Sequence, residues 1–499
     1  MRHYDLCIIG GGINGAGVAR DAAMRGLSVL LLEQNDLASA TSSASTKLVH
    51  GGLRYLEFYE FGLVRESLRE RERLLGIAPH IIWPLEFVLP HHAAVRPLWM
   101  IRAGLFLYDV LGGRKTLKSS KYLNLVNNAY GQPLKDMYKK GFSYADCWVQ
   151  DSRLVVLNAM DARARGADIL TRHKVVALEN AADHWRVTYE GEAERNTIQA
   201  DMVVNAAGPW VEDLLQSNGF YDSNKDIPHL KLVKGSHIIV PKQFEGDQAY
   251  ILQQNDGRIV FAIPYENHFT LIGTTDEPVA PNEQNACISE DEVTYLCAAY
   301  NGFFEKQISA SDVVSTYSGV RALLDDGHDE ARAVTRDYLL YHHETYAAPM
   351  ISVFGGKITT YRKLSQQLVD MLMDLSGRSE TCETDKIPLP GGDIESGNMD
   401  AFYKKLLRDY SWAPEKMLHR FAVHYGSRAY DILHSASAPD DLGAHFGDDV
   451  YEAEVRYLCE HEFAKTVEDI LWRRTKLSLH INSKTKTEIE QYLKEYHDG

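Results

Sequence analysis

YDLCIIGGGINGAGVARDAAMRGLSVLLLE, residues 4–33, is predicted to form a strand, a glycine turn, a helix and a second strand. Glycines at the first, third and sixth positions of the turn Gly10–Gly15 permit a tight bend and close packing of the helix on the strand. They also let the backbone approach a pyrophosphate, and the first N–H groups of the helix then point at its oxygens. The spacing therefore predicts a dinucleotide-binding βαβ unit.

The residues after this unit favour FAD over NAD. Glu33 closes the second strand, where a carboxylate can accept hydrogen bonds from ribose hydroxyls. The run 38–47 is small and hydroxylated, which suits an extended backbone around a second phosphate and a ribityl chain. Two later buried strands end in small residues, at Ala206–Gly208 and at Gly355–Gly356. A long dinucleotide that crosses a sheet needs several such close approaches, whereas NAD usually needs only the first.

Composition excludes several classes of function. The chain has 499 residues and a formal net charge of −16. This charge argues against a nucleic-acid partner, because the phosphates of nucleic acids bind positively charged surfaces. Its six cysteines form no CxxC pair, so we expect neither a metal site nor a disulfide framework. A strand is predicted almost at the N-terminus, and we expect no signal or transit peptide.

The most apolar helical segment is Leu98–Leu111, which Arg102 and Asp109 interrupt. It is too short to span a bilayer. Two readings stay open: a helix that lies on an anionic membrane surface, aided by the basic residues that follow it, or a half-buried helix inside a domain. The basic residues are Arg114, Lys115, Lys118 and Lys121.

Candidate catalytic residues cluster around glycine pairs. His50 and Arg54 flank Gly51–Gly52, and they offer a base that works near neutral pH and a fork that binds phosphate. Arg321, which we predict to follow a short strand, and Arg336 add further cations. Lys357 follows the second glycine pair, where a cation would stabilise negative charge on a reduced flavin.

Eight motifs spread over the chain together resemble the FAD-dependent glycerol-3-phosphate dehydrogenases, most of all the bacterial aerobic, respiratory-quinone-linked enzymes. They are the turn Gly10–Gly15, TSSASTKLVHGGLRYLE (41–57), YADCWVQDSRL (144–154), NAAGPW (205–210), KGSHIIVP (234–241), IGTTD (272–276), YSGVR (317–321) and FGGKITTYRK (354–363). Trp472–Lys476 extends the similarity into the C-terminal region.

The resemblance implies oxidation of sn-glycerol 3-phosphate to dihydroxyacetone phosphate, with hydride transfer to FAD and electrons passed to ubiquinone or menaquinone. It implies a cytoplasmic protein held peripherally on the inner face of the cell membrane, and a homodimer is an open alternative. By motif, the catalytic residues are His50, Arg54, Arg321 and Lys357. The substrate-binding residues are Arg54, Tyr55, Arg321, Arg336 and Thr359.

The remaining expectations concern the cofactor residues and the architecture. We expect FAD contacts from Gly10, Gly12, Ile13, Asn14, Gly15, Glu33, Thr41, Ser42, Ser45, Lys47, Leu48, His50, Gly51, Gly52, Val175, Ala206, Ala207, Gly208, Trp210, Gly355, Gly356, Lys357, Ile358 and Thr359. The predicted fold is α/β: a Rossmann-like FAD-binding domain, an antiparallel-sheet substrate (cap) domain and a C-terminal helical domain. The FAD-binding domain takes residues 1–80, 146–215 and 331–387, the cap domain 81–145 and 216–330, and the helical domain 388–499.

Three alternatives remain. An oxygen-using glycerophosphate oxidase shares the half-reaction, but it carries an additional insertion in mid-chain that this sequence lacks. An amine or amino-acid oxidase of the same flavoprotein superfamily would not need so many cations suited to phosphate. A non-catalytic flavin-binding or nucleic-acid-associated module is disfavoured by the acidic net charge and by the pairing of His50 with Arg54.

Overall fold

The structure is a computed structural model that describes residues 1–92, 96–112, 116–191, 194–221, 227–280, 287–325 and 337–498. Its strands are β1 (His3–Ile9), β2 (Val29–Glu33), β3 (Leu48–Val49), β4 (Ile82–His91), β5 (Lys121–Asn124), β6 (Lys140–Val149), β7 (Asp168–Thr171), β8 (Lys174–Asn180), β9 (Trp185–Glu190), β10 (Arg195–Asn205), β11 (Leu230–Pro241), β12 (Ala249–Gln253), β13 (Ile259–Tyr265), β14 (Phe269–Gly273), β15 (Glu277–Pro278), β16 (Ser315–Leu324), β17 (Tyr338–His342), β18 (Met350–Gly355), β19 (His445–Gly447) and β20 (Val450–Tyr451). Its α-helices are α1 (Ile13–Met24), α2 (Phe61–Ile77), α3 (Leu98–Leu111), α4 (Asp151–Ala164), α5 (Val211–Ser217), α6 (Glu290–Asn301), α7 (Tyr361–Ser376), α8 (Met399–Asp409), α9 (Glu415–Tyr425), α10 (Ala429–Leu433), α11 (Glu452–Glu462) and α12 (Ser483–Asp498).

The first sheet runs in the order β17-β18-β10-β1-β2-β7, and β8 and β9 extend from β10. Strands β18, β10, β1, β2 and β7 are parallel, so their carboxyl ends lie at one edge. Ile9 pairs with both Leu32 and Asn205, and Asn205 pairs with Ser352. The glycine turn, the segment after β10 and the end of β18 therefore meet at this edge, where ligands of open α/β sheets bind.

The second sheet is mostly antiparallel, in the order β15-β11-β14-β13-β12-β4-β6-β3, with β16 paired to β11 and β5 paired to β6. Each face of this sheet has a hydrophobic core. The strand β3 belongs to this second sheet. The chain therefore passes directly from the hydroxylated segment 38–47 into the second sheet. This continuity places residues 44–52 between the two sheets.

The C-terminal helices dock on the first sheet's helical layer through buried ion pairs. Arg474 donates to both carboxylate oxygens of Asp36 at 2.6 and 2.7 Å, and Arg153 of α4 pairs with Glu462. All four residues are nearly or fully buried. Because removing one partner of a buried pair strands the other charge, these contacts bind the C-terminal region firmly to the loop that follows Glu33.

The architecture agrees with the predicted class, and one local expectation is wrong. Arg321 does not follow a short strand but lies inside the ten-residue strand β16. Polar and small residues interrupt the apolar pattern of that strand because one of its faces contacts the loop at Ala44. Among the described residues, no helix is both long and apolar enough to cross a bilayer. The domain limits stay a prediction.

Candidate active site

The glycine turn fits against the end of β10 with no room for side chains. Gly10 has φ +112°, and a Cβ atom built on it would lie 2.5 Å from the carbonyl oxygen of Ala206. A Cβ atom on Gly15 would overlap the carbonyl of Gly10 itself. The helix α1 therefore begins directly beside the strand ends, with its first N–H groups turned toward the edge.

Glu33 and Ser42 each accept a hydrogen bond from a backbone N–H group of this turn. The carboxylate of Glu33 accepts hydrogen bonds from the backbone N–H groups of Gly11 (2.6 Å) and Asn35 (2.7 Å). Burial raises the pKa of Glu33, and these two hydrogen bonds oppose the rise. The hydroxyl of Ser42 accepts from the N–H of Ile13 at 3.0 Å, which brings the hydroxylated loop onto the first turn of α1.

The loop itself is held by one buried carboxylate. Asp151, the first residue of α4, contacts the ammonium of Lys47 at 3.0 Å through each of its oxygens and accepts from the hydroxyl of Ser45 at 2.7 Å. Lys47 is 2% exposed and has φ +60°. Its side chain is thus committed to Asp151, and its backbone N–H and carbonyl are bound by Ser45 and Val149.

His50 lies at the end of this loop, and Thr359 fixes its backbone. The hydroxyl of Thr359 lies 3.3 Å from both the N–H and the carbonyl oxygen of His50. Burial lowers the pKa of the imidazole to about 3, and the positive charges of Lys357 and Arg71 act in the same direction. At neutral pH the ring is therefore uncharged, and one of its nitrogens can accept a hydrogen bond from a hydroxyl group.

Lys357 supplies a buried cation beside this imidazole. Its ammonium has no hydrogen-bond partner among the described residues, and it lies 4.8 Å from the ring centroid of Tyr55. Burial lowers the pKa of Lys357 to about 8, although the carboxylates of Asp337 and Glu60 oppose the change. A buried ammonium without an anionic contact is costly, so this position calls for a negatively charged ligand group.

Arg321 is anchored on the face of β16. Its guanidinium pairs with Asp276, donates to the hydroxyl of Thr274 at 2.8 Å and lies against Gly235. The side chain keeps 27% of its surface exposed. This anchoring orients the guanidinium while leaving part of it accessible to an anion.

The loop 44–47 joins the His50 and Arg321 regions. A Cβ atom on Gly319 would lie 2.6 Å from Ala44, and the hydroxyl of Tyr317 donates to the carbonyl of Ser45 at 2.9 Å. His237 lies 3.0 Å from the hydroxyl of Thr46 and stacks on Tyr317 at 4.7 Å between ring centroids. Residues of β11 and β16 in the second sheet therefore contact residues 44–46 of this loop.

Two expected site residues are not described. Arg336 lies outside the described residues, and so does the side chain of Arg54. Val175 is buried in β8 and Trp210 ends a short 3₁₀ turn after β10, and their contacts with FAD stay a prediction. Sequence reasoning also missed contributors that its own motifs contain: Asp146 and Asp151 in residues 144–154, His237 in 234–241 and Tyr317 in 317–321.

The residues present fit FAD. The turn at Gly10–Gly15 is a cradle that side chains would fill, as a pyrophosphate site requires. Three buried polar atoms on the segments around it have no hydrogen-bond partner in the described parts of the chain: the ammonium of Lys357, the hydroxyl of Thr360 and the amide oxygen of Asn14. The amide nitrogen of Asn14 approaches the position of a Cβ atom on Gly356 to 3.3 Å. A neutral base, a buried cation and an anchored arginine then suit the oxidation of an alcohol that carries an anionic group.

A separate cavity of about 310 Å³ lies between the loop, β16 and the C-terminal residues. Ser43, Lys47, Tyr317, Arg473 and Lys476 contribute to its walls. Ser42, His50 and Lys357 do not, so this cavity is on the side of the loop away from the glycine turn.

Comparisons with known proteins agree with these features. The profile of the FAD-dependent oxidoreductase family matches residues 5–362, and the profile of the C-terminal domain of alpha-glycerophosphate oxidase matches residues 382–496. The D-erythritol 1-phosphate dehydrogenase of Brucella abortus (strain 2308) is 49% identical over 96% of this chain and 95% of that protein. The aerobic glycerol-3-phosphate dehydrogenase of Escherichia coli (strain K12) is 47% identical over 99% of this chain and 98% of that protein.

A solved structure has the same fold along nearly the whole chain. It is the glycerol-3-phosphate dehydrogenase from Bacillus halodurans complexed with FAD, which is 28% identical. The match has a TM-score of 0.77 and covers 99% of this chain and 94% of that one.

Proposed function

Because this chain belongs to the family of FAD-dependent glycerol-3-phosphate dehydrogenases, we propose that it oxidises sn-glycerol 3-phosphate to dihydroxyacetone phosphate and passes the electrons to a membrane quinone. Its cofactor is FAD. The observation that carries the proposal is the buried ammonium of Lys357, which has no hydrogen-bond partner among the described residues, beside the neutral imidazole of His50. The family relationship supports the substrate, and the word "aerobic" in the relative's name supports the respiratory acceptor.

Oxidation of the C2 alcohol removes a hydride and a proton, and FAD, when bound, would supply the hydride acceptor. His50 takes the hydroxyl proton on an imidazole nitrogen, since the ring is uncharged at neutral pH. Lys357 stabilises the negative charge that develops as electrons arrive. Arg321 and Arg54 bind the phosphate, with Tyr55, Thr359 and Arg336 contributing to the substrate pocket. The glycine turn, the loop 41–48 and the residues after β10 and β18 hold the cofactor.

The helix α3 supports contact with the cytoplasmic face of the membrane. Only Leu105 and Tyr108 of this helix are buried, whereas Trp99, Phe106 and Val110 are 70%, 54% and 52% exposed. Tyr59 and Phe61 at the start of the neighbouring α2 are also exposed. Exposed lysines follow α3, at Lys118 and Lys121. Large apolar side chains flanked by cations are the composition that binds an anionic bilayer surface.

D-Erythritol 1-phosphate is a second candidate substrate. The dehydrogenase named for it is 49% identical to this chain, slightly more than the glycerol-3-phosphate relative. The same His50, Lys357 and Arg321 would serve both substrates, because each presents an alcohol near a phosphate. The two differ by one carbon at the end away from the phosphate.

Anaerobic mixing with substrate tests the function directly. We expect sn-glycerol 3-phosphate to bleach the flavin absorbance, with a quinone analogue restoring the colour much faster than oxygen does. D-Erythritol 1-phosphate at equal concentration is the matched comparison, and the larger rate constant of flavin reduction identifies the substrate. Bleaching by neither compound contradicts the proposal, and rapid reoxidation by oxygen assigns the protein to the oxidases.

Replacement of Arg321 by Ala should weaken phosphate binding without loss of FAD. A hydrogen bond to a charged group contributes roughly 1.5–3 kcal/mol, so kcat/KM should fall by about tenfold to a hundredfold. Arg321→Lys should recover part of the loss, because it keeps the charge but not the fork. Arg258→Ala is the control, since that half-exposed arginine pairs with Asp256 on the same sheet. Unchanged kinetics for Arg321→Ala would show that the phosphate binds elsewhere.

The pH dependence of turnover should reveal Lys357. Its pKa of about 8 means that the ammonium is present below that pH and is lost above it. We therefore expect kcat/KM to fall as the pH rises through this value. The fall in kcat should lie at higher pH, because an anionic ligand favours the protonated lysine. His50, with a pKa of about 3, should add no acidic limb between pH 5 and 7.

Lys357→Met is the diagnostic variant. It should lower kcat and remove the alkaline limb, whereas Lys363→Met, a change in the same segment, should keep it. An alkaline limb that survives in Lys357→Met would assign it to another group.

Membrane attachment should depend on the exposed face of α3. In vesicle sedimentation, the double variant Trp99→Ser/Phe106→Ser should bind vesicles of phosphatidylcholine with anionic phosphatidylglycerol several-fold more weakly. The substitutions remove the two aromatic rings that would contact the bilayer surface. Leu375→Ser is the control, since Leu375 is 44% exposed on α7. Full vesicle binding by the double variant would move the contact to another surface.

A further inference from the structure

The backbone directly after His50 is bound by the hydroxyl group of Tyr108, a residue of α3. The N–H of Gly51 donates to the hydroxyl oxygen of Tyr108 at 2.8 Å, and this bond is buried. A Cβ atom on Gly51 would lie 2.6 Å from the same oxygen and 2.5 Å from a methyl carbon of Leu68. A side chain at the residue directly after His50 would therefore displace Tyr108 or Leu68.

A buried charge pair sets the direction of this hydroxyl. Tyr108 donates its proton to Asp146, whose oxygens lie 2.8 and 2.9 Å from the phenol oxygen. Arg71 donates to Asp146 at 2.6 Å and to the carbonyl of Ala145 at 3.2 Å. Burial and the neighbouring carboxylate keep the pKa of Tyr108 well above its usual range, so the phenol stays protonated. Its proton points at Asp146, and its lone pairs therefore face Gly51.

Two contacts then enclose the peptide of His50. Thr359 lies 3.3 Å from its N–H and its carbonyl oxygen, and Tyr108 binds the following N–H. Gly52 then turns the chain in a left-handed conformation at φ +75°. The position of the imidazole relative to the substrate hydroxyl thus depends on the backbone of residues 50–52.

We propose that Tyr108, oriented by Asp146 and Arg71, is a positioning residue for His50 and fixes the base for proton removal from the substrate alcohol. This inference rests on the proposed oxidation. It gives a role to a residue of α3 other than membrane contact: one face of the helix is exposed and apolar, and the opposite face supplies this hydroxyl. Orientation of a reacting group is worth large factors in rate, so a small displacement of the backbone should be visible in the chemical step.

The test is Tyr108→Phe in the FAD-loaded full chain, with flavin reduction by sn-glycerol 3-phosphate followed in an anaerobic stopped-flow instrument. We expect the limiting rate constant per bound flavin to fall by about tenfold to a hundredfold, with the dissociation constant of the substrate unchanged. The deuterium isotope effect for substrate labelled at C2 should change as well. A partial loss of folded protein would change neither the limiting rate constant nor the isotope effect. Only flavin bound to folded enzyme is reduced by the substrate, and both quantities refer to that flavin.

Tyr144→Phe is the matched control. The ring of Tyr144 packs edge-on against Tyr108, and this variant also removes one phenol hydroxyl group. An equal fall in both variants, or no fall in Tyr108→Phe, overturns the proposal. Should Tyr108→Phe not retain FAD, the triple variant Arg71→Met/Asp146→Leu/Tyr108→Phe removes the buried charges together, which is often tolerated, and it must show the same slow reduction. If the wild type is not reduced at all, the proposed oxidation fails rather than the positioning role.

Discussion

Main-chain atoms meet directly at the carboxyl edge of the parallel sheet, and this contact positions the glycine turn. The strands β1, β10 and β18 stop side by side, and Gly10 meets the carbonyl of Ala206 at a distance that admits no side chain. Only this arrangement lets a helix begin at the edge with its N–H groups free for phosphate. The loop 41–48 reaches the same edge through the bond between Ser42 and Ile13, and the Gly355–Gly356 turn reaches it beside Asn14.

Buried charges around that edge are organised so that most are satisfied within the protein. Asp151 neutralises Lys47, Asp36 pairs with Arg474, and Asp146 pairs with Arg71 through short contacts. Such pairs add little net stability, but breaking one leaves an uncompensated charge, so they hold the loops in one arrangement. Lys357 differs because its ammonium has no hydrogen-bond partner among the described residues. Its depressed pKa reflects a position that becomes favourable when an anionic group of cofactor or substrate lies beside it.

Sequence reasoning succeeded where the signal is local. The glycine turn, the strand ending at Glu33 and the helix after Thr360 follow from patterns within about ten residues, and the structure has each of them. It failed where a role depends on contact between distant segments. The bond between Gly51 and Tyr108 spans 57 positions, and that between Lys47 and Asp151 spans 104. Arg321 was predicted beyond a strand because polar residues on a strand that lines a site resemble the end of an apolar run. For α3, a half-buried and a surface-bound apolar helix have the same composition, so both readings follow equally from the sequence.

Overall identity cannot separate the two candidate substrates, and the reason is physical. Glycerol 3-phosphate and erythritol 1-phosphate share the phosphate and the reacting alcohol, so the proposed site residues His50, Lys357 and Arg321 would bind features common to both. Discrimination must come from the few side chains that meet the far end of the polyol, where one substrate is longer by a single hydroxylated carbon. A pocket that only excludes that carbon by size rejects the longer substrate weakly, whereas a pocket with polar groups placed to bind the extra hydroxyl rejects the shorter one strongly, because those groups would be left unpaired. A handful of positions therefore decides the substrate, while the fold and the redox chemistry stay the same.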